Sequence, residues 1–118
     1  QVATSSLLRA YHEPLTEMLR KHPGHPLQGE AMLARGIARR NIGQDADAGK
    51  DLQTFLGTKP TGISLGHALY EAALIDQKEK QPERAASKLE ALVRQVPDYP
   101  TMDEVLYITP VYKKISNI

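Results

Sequence analysis

At 118 residues with a net charge of +1, the chain is the length of one ordinary domain and carries no basic field of the kind that gathers nucleic acid. The absence of cysteine excludes disulfides, thiolate nucleophiles and cysteine zinc sites, and no apolar run approaches the roughly 20 residues that cross a bilayer. Alanine and leucine dominate the apolar residues, aromatics are 5%, and both features favour closely packed helices. The chain starts at Gln1, not Met, so it is expected to be a piece excised from a longer protein, with any signal peptide or lipid anchor upstream.

The first predicted elements are helical segments over 3–12 and 14–22, a hairpin or bent pair, because Pro14 must either start a new helix, the preferred reading, or kink a longer one. The stretch 21-KHPGHP-26 follows. His22 and His25 straddle Pro-Gly, and only His12 and Glu13 lie near in sequence as further ligands. Zinc-binding histidines in short motifs usually sit one helical turn apart, so this stretch reads as a corner between units.

Three prolines set the period of the chain. Pro23, Pro60 and Pro97 are 37 and 37 apart, and the residues before them align. One unit runs Met32, Gly36, Gly43, Ala48, Leu52, Phe55, Pro60, and the next Leu69, Ala73, Lys80, Ala85, Leu89, Leu92, Pro97. Upstream, Tyr11, Leu15, Met18 and Pro23 form a half unit. Downstream, Leu106 and Tyr107 fall 37 after Leu69 and Tyr70.

Each unit predicts two helices. In the first, 29–42 is closed by Gly43 as a left-handed cap, and Asp45 is the expected N-cap of a helix over 46–56. In the second, a helix over 67–80 precedes one that begins at Pro82, where a missing N–H costs nothing. Gly36 and Ala73 are equivalent small residues where the paired helices pass closest. Finally 101-TMDE-104 is a capping-box pattern opening a short helix, interrupted by Pro110.

This pattern of small residue, turn Gly, Ala, large apolar, apolar and Pro resembles the tetratricopeptide repeat, a helix-turn-helix unit of about 34 residues. The resemblance covers residues 11–107. The longer period and Pro-rich junctions (HPGHP, VPDYP) resemble bacterial cell-envelope members, such as periplasmic coordinators associated with Tol–Pal and lipoproteins that help assemble outer-membrane proteins. It implies an all-α fold of antiparallel helix-turn-helix repeats stacked as a short superhelix, in one domain over 1–118. Partial N-terminal helices occupy 1–24, repeat units 29–60 and 66–97, and a partial capping helix 101–118.

The chain departs from the family at Arg35 and Arg39, where a large apolar and an aromatic residue are usual; the second unit has Ala72 and Asp76 there. Arg39 and Asp76 are equivalent sites on neighbouring units, so an Arg39–Asp76 ion pair across the stack is expected, fixing register more than adding stability.

No catalytic chemistry can be assembled. The string 45-DADAGKD-51 lacks the Gly and terminal carboxylate of a calcium loop, having Lys50 and Leu56 at those places. Gly49-Lys50 lacks the rest of a phosphate loop, and Ser5, Ser6, Ser64 and Ser87 have no placed base. No enzyme activity, cofactor or metal is expected.

The resemblance implies that first helices line a concave face, presenting Leu33, Ile37, Arg40 and Asn41 from one unit and His67, Tyr70, Leu74, Gln77 and Lys78 from the next, with Tyr107 and Val111 from the last helix. Members that grip carboxylate-ended chaperone tails use Lys and Asn where this chain has Leu33 and Ile37, so that activity does not carry over. The face suits an apolar peptide or helix from a protein partner, with residues 110–118 as a rival occupant. The function expected is a protein–protein scaffold or adaptor, periplasmic or otherwise associated with the bacterial envelope. Self-association through Val105, Leu106 and Ile108 is a related possibility. The alternatives are a regulatory or oligomerisation domain of a larger protein, and a nucleic-acid-binding repeat using Arg35, Arg39, Arg40 and Lys50.

Overall fold

The computed structural model describes residues 2–106 and 108, with side chains from His12 onward. The fold is all-α, with the helices in the order α1 Val2–Lys21, α2 Gln28–Asn41, α3 Asp45–Gly57, α4 Gly62–Lys78 and α5 Pro82–Gln95. A short helix, α6, covers 102–106. The chain forms two compact units, residues 1–58 and 59–118. In the first, α2 packs against both α1 and α3; in the second, α4 packs against α5.

The 37-residue period is repeated in the backbone itself. At the end of α2, Gly43 N–H donates to Arg40 O and Gln44 N–H to Arg39 O, at 3.1 and 2.7 Å. Those two bonds define a Schellman turn, which needs a left-handed residue at its centre, and Gly43 has φ +90°. At the end of α4, Lys80 N–H donates to Gln77 O and Gln81 N–H to Asp76 O, at 3.1 and 2.8 Å. These donors and acceptors are those of the first turn advanced by 37 positions. Here the left-handed place falls to Lys80 (φ 59°), a side chain that tolerates it less well than glycine.

Gln44 and Gln81 then open the second helix of each hairpin, their carbonyls accepting from Ala48 and Ala85 N–H. Asp45 is therefore not the N-cap expected: Gln44 holds that place, and Asp45 is already helical. The Schellman turn delivers the chain directly into α3, so Asp45 and Asp47 act as first-turn charges favoured by the helix dipole. Pro82 stands in the first turn of α5, as its missing N–H allows.

Two other boundaries differ from expectation. Pro14 lies inside a continuous α1 and starts no new helix. Its lost N–H leaves one carbonyl of the preceding turn without its usual donor, while its flanks contain no glycine or other terminator to end the helix. Further along, α4 begins at Gly62, five residues before the expected start. Thr61 is extended (φ −131°, ψ 170°) and supplies the break, while Gly66 is taken into the helix. The chain after α5 turns through Tyr99 N–H to Val96 O and Met102 N–H to Tyr99 O before α6. Residues 107 and 109–118, including Tyr107, Pro110 and Val111, lie outside the described set.

Equivalent positions carry the cores. Ala48 and Ala85, Leu52 and Leu89 are fully buried, and Phe55 and Leu92 follow one turn on. A Cβ at Gly36 would stand 3.1 Å from Leu52 Cδ2 and 3.2 Å from Asp51 Cβ, so α2 and α3 approach as closely there as a small residue permits. Ala73, its equivalent, has no exposed surface. A second small pair, Gly29 and Gly66, lies seven residues earlier. The Phe55 ring sits over Gly29, and Tyr99 presses on Gly66 so closely that a Cβ would stand 2.7 Å from Tyr99 Cε1.

Two substitutions test the repeated turn. Gly43→Ala is expected to destabilise the chain by about 1 kcal/mol, and Lys80→Gly to stabilise it by about 0.5–1 kcal/mol, in urea unfolding followed by circular dichroism. Opposite signs at equivalent positions are the outcome to look for; equal effects would remove the left-handed residue as the cause.

Candidate functional site

The polar groups of the first unit converge on one carboxylate. Asp51, on α3, is 5% exposed and accepts from Arg35 Nε at 2.8 Å and Arg35 Nη2 at 2.7 Å, a two-pronged pair. Arg39, one turn further along α2, donates through Nη1 to Asp51 at 3.0 Å and through Nε to His12 Nε2 on α1 at 3.1 Å. His12 thus accepts at Nε2, while its Nδ1 lies 3.7 Å from the exposed Glu13 carboxylate. One buried acid ties α2 to α3, and through Arg39 reaches α1.

The second unit has one acid–base pair at the same repeat positions with the signs exchanged. Asp76 on α4 is buried and accepts from Lys88 Nζ on α5. Asp76 is 37 after Arg39, and Lys88 is 37 after Asp51. The expected Arg39–Asp76 pair is corrected accordingly: each residue spends its charge inside its own hairpin, across the 12-residue spacing shared by 39–51 and 76–88. The physical reason is reach, because these side chains point at the second helix of their own unit.

A third cluster lies between α4 and the chain after α5. The His67 Nδ1 and Tyr99 hydroxyl are 2.8 Å apart, with the rings edge to face at 5.4 Å. Tyr70 donates from its hydroxyl to Glu104 at 3.3 Å, and its ring lies 6.2 Å from that of Tyr99. Burial first, then the Glu71 carboxylate, raises the Tyr99 phenol above its ordinary range. An open depression here is lined by Tyr70, Asp103, Glu104 and Ile108.

The residues expected on the binding face divide into three groups. Leu33 is buried, and so is Val105, expected on an exposed edge; both are packing residues in this structure, whereas Leu106 is 52% exposed. His67 and Tyr70 are half-buried and engaged by Tyr99 and Glu104. Ile37, Arg40 and Leu74 are half-buried, while Asn41 and Lys78 are exposed, and the Asn41 amide donates to Ile37 O at 2.8 Å. At the corner, Leu27 N–H donates to His25 Nδ1 at 3.0 Å, and the His22 and His25 rings meet edge to face at 6.3 Å. Among the described residues no three His, Asp or Glu side chains gather as a metal-ligand set, and no helix is long and apolar enough to cross a membrane.

Sequence reasoning missed Asp51, Lys88 and Tyr99. The first two were within its reach: the offset that aligned Arg39 with Asp76 also aligns Asp51 with Lys88. Tyr99 carries no such signal, because it lies outside both helices and acts by filling the groove over Gly66.

Removing Asp51 leaves two half-buried guanidinium groups facing each other, and Asp51→Ala is expected to cost about 3–5 kcal/mol in chemical unfolding. Lys88→Met leaves only Asp76 without its partner and is expected to cost about 1–3 kcal/mol. Equal losses would show that the two Arg residues add nothing to the first cluster. Tyr99 supplies a pH test. Its raised phenol favours the folded state fully below the ordinary tyrosine range, and that contribution disappears as pH rises through the folded value. Stability is therefore expected to fall from about pH 10 upward, less steeply in Tyr99→Phe, by thermal melts from pH 8 to 11. Comparison of the chain with protein-family models, with curated proteins and with solved structures finds no match, so the residues themselves carry its functional interpretation.

Proposed function

We propose that this chain is a non-enzymatic protein–protein interaction module of tetratricopeptide type. Its first helices dock an apolar peptide or helix of a partner protein, and it works as a scaffold or adaptor in a bacterial cell envelope. The observation that carries the proposal is a repeated pair. Ile37 on α2 and Leu74 on α4 lie 37 residues apart, and both are half-buried aliphatics on the first helix of a hairpin. Each has polar neighbours one helical turn on, Arg40 and Asn41 beside Ile37, Gln77 and Lys78 beside Leu74. An aliphatic anchor with a polar rim is the chemistry by which helix grooves take apolar segments.

The agreement at one offset of the ends of α2 and α4, the starts of α3 and α5, the cap hydrogen bonds and the small residues supports reading the hairpins as tandem repeats. The tetratricopeptide superhelix and the envelope location rest on the sequence resemblance. The nucleic-acid alternative loses support, because Arg35 and Arg39 are held by Asp51 and leave that footprint with Arg40 and Lys50.

The test places a photo-crosslinking residue at Leu74 and, as a control, at exposed Arg84 on α5, in bacteria expressing the protein. A discrete protein adduct at Leu74, absent at Arg84 and lost on adding Tyr70→Ala one turn earlier on the same helix, is the expected result. Adducts that are missing at both positions, or equal at both, would sink the proposal.

A further inference from the structure

The two hairpins are nearly interchangeable in their apolar packing. Ala48 matches Ala85, Leu52 matches Leu89 and Gly36 matches Ala73, so the second helices present similar small-large surfaces to the first helices, with Phe55 against Leu92 the main difference. Chain connectivity does not separate the choices either. The links α2–α3 (42–44), α3–α4 (58–61) and α4–α5 (79–81) are of nearly equal length, and the 58–61 link is long enough for α3 to lie antiparallel to α4 in the same register that it has against α2. What distinguishes the pairings is the sign of the buried charge. If α4 took α3 in the hairpin geometry, Asp76 would meet Asp51. If α2 took α5, Arg39 would meet Lys88 with Arg35 alongside.

We propose that the reversed polarity of the 39–51 and 76–88 pairs selects the helix pairing of this protein. It leaves α2·α3 and α4·α5 charge-matched and makes both cross-repeat hairpins like-charged. Two buried carboxylates, or three cations, without a counter-charge oppose each crossed pairing, because a low-dielectric contact strengthens repulsion as much as attraction. A tandem repeat with one polarity throughout would lack this selection, and misassembly between similar units is a characteristic failure of repeat proteins. Selection by repulsion at like positions is also how helical pairings elsewhere reject wrong partners.

The test is the double variant D76R/K88D, which keeps opposite charges across α4·α5 but gives both hairpins the same polarity. Wild type and variant are unfolded in urea only briefly, so that prolines retain their native isomers, and refolding at low salt is followed by stopped-flow circular dichroism. The expected result is an unchanged unfolding rate, showing an intact native pairing, with a slow refolding phase about tenfold larger in amplitude than in wild type. A variant that refolds with wild-type phases overturns the proposal. If D76R/K88D does not regain native helicity, the near-isosteric D76N/K88Q decides the matter, since it also removes the like-charge penalty from both crossed pairings. An enlarged slow phase there supports the proposal, and wild-type refolding there overturns it.

Discussion

The Asp51 carboxylate is the point on which the first unit depends. It is buried beside Gly36, where α2 and α3 pass close together, and it accepts from two guanidinium groups on successive turns of α2. Taking a carboxylate out of water costs several kcal/mol, so the geometry that returns this must be specific. Here the two-pronged Arg35 contact and the Arg39 contact together occupy both oxygens. Arg39 is held in place at its other edge by His12, which connects the third helix of the unit to the same centre. A purely apolar contact could supply as much stability, but it would accept a shift of one helix along the other far more easily.

The second unit meets the same demand with fewer charges and reversed signs. Asp76 and Lys88 stand where Arg39 and Asp51 stand in the first, and Ala72 replaces Arg35, so only one cation is needed. The N-terminal half of α4 is covered by an aromatic residue. Tyr99 enters from beyond α5 to cover Gly66 and to meet His67, giving the second unit an aromatic cluster where the first has Phe55 over Gly29. Polar side chains that would look chemical in a list of residue types, including the Arg pair, His67 and two buried aspartates, are thus occupied in holding helices together. Ile37 and Leu74, half-buried at equivalent places on the first helices with a polar rim beside each, are not used in this way, and the proposed function is built on them.

Much of the fold was legible because helical repeats write their period into residues of several kinds at once. The prolines, the glycine at position 43 and the Ala-Leu stripe of each second helix all report the same offset, and the structure repeats it in its backbone hydrogen bonds. The boundaries were less legible. Pro14 and Gly66 are local terminators by propensity, yet both lie inside helices, where packing of the surrounding residues overrides a local cost. The binding face was read from family register, and register does not report burial: Leu33 satisfied it and is nonetheless packed inside.

The sequence alone determined the helical class, the 37-residue period, the paired small residues and the turn at Gly43, since each follows from local propensity or spacing. Only the tertiary structure decided which charges meet. Arg39, Asp51, Asp76 and Lys88 offer several complementary pairings on paper, and the choice depends on which helix face each side chain leaves and how far it reaches. Those are properties of helices already packed at contact distance, where a buried charge is stable only opposite its partner, and no single segment of the chain contains them.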